Sequence, residues 1–172
     1  MKSLHKFNAF LAFALLAFTA LPAWANNHMG HAMAKQNIVQ IAAGNPEFST
    51  LVTALKEAGL VQTLEAKGPF TVFAPTNAAF AALPAGALEN LLKPENRAKL
   101  RAILLYHVVP GEVTAAEAMK LDQAKTAEGA ELPIRHMDGQ VMVGDAQVTQ
   151  ADIMASNGVI HVINKVLMPP QG

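Results

Sequence analysis

The chain has 172 residues, with thirteen basic and thirteen acidic side chains and no cysteine. The charge balance exerts no pull towards nucleic acid or an anionic membrane surface. The missing cysteines exclude disulfides, thiol catalysis, zinc–cysteine centres and lipid attachment through an N-terminal cysteine, so stability must rest on an aliphatic core.

Lys2 and Lys6 precede an apolar stretch over residues 9–21, interrupted only by Thr19, and Ala23-Trp24-Ala25 follows. A basic start, a short apolar run and small residues at the cleavage positions predict a secretory signal peptide over residues 1–25. The run falls short of the roughly 20 residues of a membrane span. Cleavage after Ala25 leaves eleven basic residues against thirteen acidic ones, a net charge of about −2, and no later segment apolar enough to cross a bilayer. The expected location is the periplasm or the exterior of the cell.

Residues 26–36, "NNHMGHAMAKQ", are small and polar without an apolar period, and are expected to be a flexible leader. With Asn26 first, the α-amine, the amides of Asn27 and His28 and the His28 imidazole form a square-planar donor set for Cu(II) or Ni(II). Met29, His31 and Met33 add donors that suit Cu(I). The alternative function this raises is periplasmic copper binding or metal buffering; the rest of the chain implies no cofactor.

The folded domain is expected over residues 37–170. Phe48, Leu51, Val52 and Leu55 fall at helical spacing and Gly59 is a natural stop. A short helical turn over 60–66 precedes a strand over 70–74, which Pro75 ends. Thr76 can cap a short helix over 77–83, and another turn fits 87–92. Pro94 suits a helix start; Leu100, Ile103 and Leu104 give that helix an apolar face before it runs into a strand, "YHVV", stopped by Pro110-Gly111. Thr114 can cap a helix through Met119. Beyond Gly129 the pattern predicts a strand, an Asp138-Gly139 hairpin turn and a second strand. A turn at Asn157-Gly158 and a buried final strand, "VIHVINKVLM", complete an α+β pattern.

Three segments in order carry a family resemblance. "GPFTVFAPTNAAFAALP" (68–84) resembles the first signature box of the fasciclin domain, "LLYHVVPGEV" (104–113) its central Tyr-His motif, and "ASNGVIHVINKVLMP" (155–169) its second box. The resemblance implies a β-sandwich or wedge of about seven strands with helices packed around one side. It also implies a non-enzymatic adhesion or interaction module whose partner is a surface or extracellular protein or glycan. Within the boxes, Thr71, Pro75, Thr76, Asn77, His107, Asn157, Gly158 and His161 are expected to serve the fold. Read as a strand pair, Tyr106 and His107 point to opposite faces, which leaves Tyr106 as a candidate partner residue. Asp152-Ile153 matches an Asp-Ile pair implicated in integrin binding in some animal relatives, so Asp152 could present a carboxylate and Ile153 apolar area. Asn164 stands where relatives often carry aspartate.

The usual enzymatic patterns are missing. Ser49 and Ser156, the only serines beyond the signal, sit in no Gly-x-Ser-x-Gly elbow. There is no His-Glu-x-x-His, phosphate loop or dinucleotide fingerprint. The leader reading makes a direct test possible. The exported protein should begin at Asn26 by mass spectrometry and take up one Cu(II) in a spectroscopic titration. Removing residues 26–35 should abolish that uptake, and a different N-terminus would remove the amine on which it depends.

Overall fold

The computed structural model describes residues 36–170. The expected signal peptide and the leader donors Asn26, Asn27, His28, Met29, His31 and Met33 lie outside them. Asn37 opens a helix that the sequence reading missed, α1 (Ile38–Ala43). Its side chain accepts from Gln40 N while the Gln40 side chain accepts from Asn37 N, a complete capping box. A 3-10 turn, Pro46–Phe48, leads into α2 (Ser49–Ala58), which ends where expected: Gly59 adopts φ 69° and donates to the Leu55 and Lys56 carbonyls. The short α3 (Val61–Glu65) precedes β1 (Phe70–Pro75). Next come α4 (Asn77–Ala81), capped by Thr76, then α5 (Ala87–Leu91) and α6 (Arg97–Tyr106).

The second half holds β2 (Val108–Pro110), α7 (Ala115–Ala118), β3 (Gln123–Lys125), β4 (Glu131–Met137), β5 (Gln140–Val143), β6 (Ala146–Ala155) and β7 (Gly158–Ile163). These strands form one sheet in the order β2-β1-β7-β6-β5-β4-β3. β1 and β7 pair in parallel and every other neighbour is antiparallel. The sheet curls nearly into a barrel. Ala127 N, just past β3, donates to Val108 O of β2 at 2.7 Å across the remaining gap.

Strand alternation divides the core in two. Val72 and Ala74 of β1, with Ile160 and Val162 of β7, meet the helices through Phe48, Leu51, Leu55, Leu64, Leu100 and Leu104. Phe73 and Ile163 face the other way, onto Leu132, Ile134 and Val143 inside the curled sheet. Both central strands are therefore buried on both faces, which is why they read as continuous apolar runs.

Two expectations about the elements need correction. Tyr106 ends α6 and His107 is its C-cap in the αR conformation, so the strand starts only at Val108. The two side chains do not alternate across a strand; helical contacts of Leu100, Ile103 and Leu104 carry the helix through Tyr106. Between Gly129 and the Asn157-Gly158 turn lie three strands rather than two, because Gly144, at φ 57°, turns the chain between β5 and β6. β3, only three residues long, was too short to show a period.

At the start of the parallel ladder, Gly158 lies so close to β1 that an added Cβ would fall 1.8 Å from Phe70 O. Gly44, by contrast, has φ −80° and an ordinary 3.4 Å neighbour. Gly158→Ala should cost about 3 kcal/mol or more, and Gly44→Ala within about 0.5 kcal/mol. Urea unfolding of both variants makes the comparison.

Candidate functional site

Three of the motif residues converge on one loop, residues 111–115, between β2 and α7. The Thr71 hydroxyl donates to Gly111 O at 2.7 Å and accepts from Val113 N at 2.8 Å. His161 Nε2 donates to Val113 O at 2.7 Å, and its Nδ1 accepts from Asp152 N at 3.3 Å. The Asp152 carboxylate accepts from Ala115 N at 2.8 Å. Thr114 then caps α7 in a box with Glu117. His161 is also stacked on Phe73, its neighbour across the parallel ladder, with ring centroids 5.5 Å apart. A loop with no regular hydrogen bonding of its own is thus pinned by side chains from β1, β6 and β7, with both His161 nitrogens partnered.

Asp152 is unusual in its backbone. It holds φ 57°, a left-handed conformation that aspartate tolerates better than most side chains, within the irregular stretch of β6 where the register to β7 shifts. The bulge leaves Asp152 and Met154 exposed on either side of Ile153. Ile153 itself is half-buried and packs against the helical core, so the apolar area on offer here belongs to Met154. The sequence reading gave roles to the Asp-Ile pair and none to Met154. The position of the loop was signalled by the Pro110-Gly111 stop before it and the Thr114 cap after it.

The Tyr-His pair is interior. Tyr106 is 4% exposed, packs with Phe73 and Val109, and donates its hydroxyl to Glu131 O at 3.3 Å. It is therefore a core residue where a surface one was expected. Burial, reinforced by the Glu128 carboxylate, raises its hydroxyl pKa above the ordinary value. His107 is fully enclosed: Nδ1 donates to Ile103 O at 2.8 Å and Nε2 accepts from Leu167 N at 3.0 Å. It fastens the chain after β7 to the end of α6. Burial pushes its pKa down to about 4, against a smaller opposing effect of the Ile103 carbonyl.

Asn157 ties the far end of the sheet together. Its amide nitrogen donates to Leu64 O and Ala66 O, its side-chain oxygen accepts from Ile38 N, and its carbonyl accepts from Phe70 N. Asn77 does the same for the helices, accepting from Thr50 N and donating to Pro46 O. Pro75 closes β1, and Asn164 accepts from Gln147 N at 3.0 Å, holding the start of β6 with no charge.

Among the described residues, no group of three His, Asp or Glu side chains is placed to hold a metal ion. An open cleft of about 710 Å³ beside the Asn157 turn is lined by Glu65, Lys67, Glu112 and Ser156. No described helix is long and apolar enough to cross a membrane.

The fasciclin-domain family model matches residues 46–169. The chain belongs to the fasciclin-domain family. It is 59% identical over 133 residues to Protein sll1483 of Synechocystis, spanning 77% of this chain and 73% of that one. It is 37% identical over 144 residues to the cell surface glycolipoprotein MPB83 of Mycobacterium bovis, covering 80% of this chain and 63% of the relative. The fold matches a domain pair from the insect cell adhesion molecule Fasciclin I with a TM-score of 0.71 at 18% identity. That match covers 78% of this chain, which spans about half, 51%, of the insect one.

The buried His107 has a pH consequence. Its pKa falls from 6.5 to about 4 on folding, so the unfolded chain takes up the proton first. The contribution to stability is complete above pH 6.5 and is lost as the pH falls towards 4, a change on the order of 3 kcal/mol. Urea unfolding at pH 7 and pH 4.5 should show a steep loss in the native protein and a shallower one in His107→Gln. Equal slopes would remove His107 as the cause.

Proposed function

We propose that this chain is an exported binding module that attaches to a protein or glycan at the cell surface and performs no covalent chemistry. The contact surface is the β6 bulge at Asp152 and Met154 together with the adjoining loop 111–115. The observation that carries the reading is the Asp152 geometry. A non-glycine residue in a left-handed conformation, on a bulged strand, sets a carboxylate beside an exposed methionine, and the loop next to it is braced by buried side chains. Rigid support under an exposed polar and apolar pair reduces the ordering cost of binding, and a carboxylate beside apolar area suits a basic or hydroxyl-rich partner. The cell surface location of the mycobacterial relative and the adhesion role of the insect molecule support the same reading.

Asp152→Asn tests it cleanly, because asparagine keeps the bond to Ala115 N and tolerates the backbone while removing the charge. Beads coated with the protein should adhere to cells of its producer. Asp152→Asn and Met154→Glu should each reduce adhesion about tenfold, with thermal unfolding unchanged. Adhesion at the native level in both variants would sink the reading. Protease and glycosidase treatment of the cells then separates a protein partner from a glycan.

A further inference from the structure

Methionine is usually among the more buried residue types. In this fold the preference is inverted. The cores are filled by Leu, Ile, Val, Phe and Ala, and no described methionine is buried. Met142 is partly buried in β5, while Met119, Met137, Met154 and Met168 are 54%, 60%, 55% and 50% exposed. Among the described residues, Leu121 is the only other large apolar side chain standing out in the same way. The four methionines belong to different parts of the fold: the C-cap of α7, the last residue of β4, the β6 bulge and the segment after β7. With no cysteine in the chain, thioethers are its only side-chain sulfur.

Packing does not account for this placement, since the exposed sites hold no core together. The chemistry of sulfur does. We propose that Met119, Met137, Met154 and Met168 form an oxidisable coat, four sites of reversible sulfoxidation by oxidants of the peroxide or hypohalous class. In the peroxide reaction a sulfur lone pair attacks one oxygen of hydrogen peroxide. An S–O bond forms, the O–O bond breaks, and the departing oxygen leaves as water after proton transfer. The sulfur loses two electrons and the peroxide gains them. Hypochlorous acid makes the same sulfoxide and releases chloride and a proton. A thiol-dependent methionine sulfoxide reductase returns two electrons and two protons, releasing the oxygen as water.

Surface placement is what makes the cycle tolerable. A sulfoxide dipole inside a core is left without a partner and disrupts packing; at these positions it faces water. The local anchors are other residues. Beside Met154, Ile153 makes the core contact. Beside Met168, Leu167 is buried and its N–H is held by His107. Met154 also lies on the proposed partner surface, whereas Met119, Met137 and Met168 report on oxidation alone.

The test treats the full chain with graded hypochlorite or hydrogen peroxide and locates added oxygen by peptide mass mapping, with Met1, Met29 and Met33 mapped separately. The four exposed sites should oxidise at least about fivefold faster than Met142, following sulfur accessibility. The oxidised protein should keep its melting temperature within about 3 °C, and methionine sulfoxide reductase with dithiothreitol should restore the original mass. A variant combining M119L, M137L, M154L and M168L should stay folded and take up four fewer oxygens. The proposal is overturned if Met142 keeps pace with the four, if oxidation unfolds the domain, or if the reductase leaves the sulfoxides in place.

Discussion

The parallel pairing of β1 with β7 is the constraint on which the rest of this structure depends. It joins the first strand of the domain to the last, and both strands are buried on two faces. The ladder begins where Gly158 meets Phe70 so closely that no side chain fits between them. Asn157, one residue earlier, collects donors and acceptors from α1, the end of α3 and β1. Helices on one side and the curled sheet on the other both take their position from these two strands.

Burial of β1 and β7 on both sides raises the cost of every polar group within and around them. The described residues meet that cost in full, since no buried side-chain nitrogen or oxygen lacks a partner. Thr71, His107 and His161 are nearly inaccessible, and each bonds to main chain in a loop or in the last turn of a helix. The two histidines divide the work. His107 secures the segment leaving β7, and His161 secures the loop entering α7. Their polar atoms substitute for regular secondary structure at the points where the chain must change direction.

Much of this was legible in the sequence because it rests on local rules. Gly59 ends α2, Thr76 and Thr114 cap their helices, and the three spaced motifs place the chain in its family. What escaped was decided by tertiary contact. The β-branched pair Val108-Val109 made "YHVV" look like one strand, but core contacts extended the helix through Tyr106. "NIVQ" contained the capping box of α1, yet six residues of helix left too short a period to recognise. The left-handed Asp152 carries no glycine to announce it, and its conformation follows from the bulge and from the bonds to Ala115 and His161. Tyr106 looked available to a partner because its burial is supplied by strands far along the chain.

The sheet order also governs when folding can be completed. During synthesis from the N-terminus, the helices and β1 emerge well before β7, and β1 has no parallel neighbour until β7 follows. Contacts between such distant segments form slowly, because loop closure precedes any reward from pairing. The central seam of the sheet therefore stays open through most of translation. The same pairing that stabilises the finished domain is therefore also among the last to form.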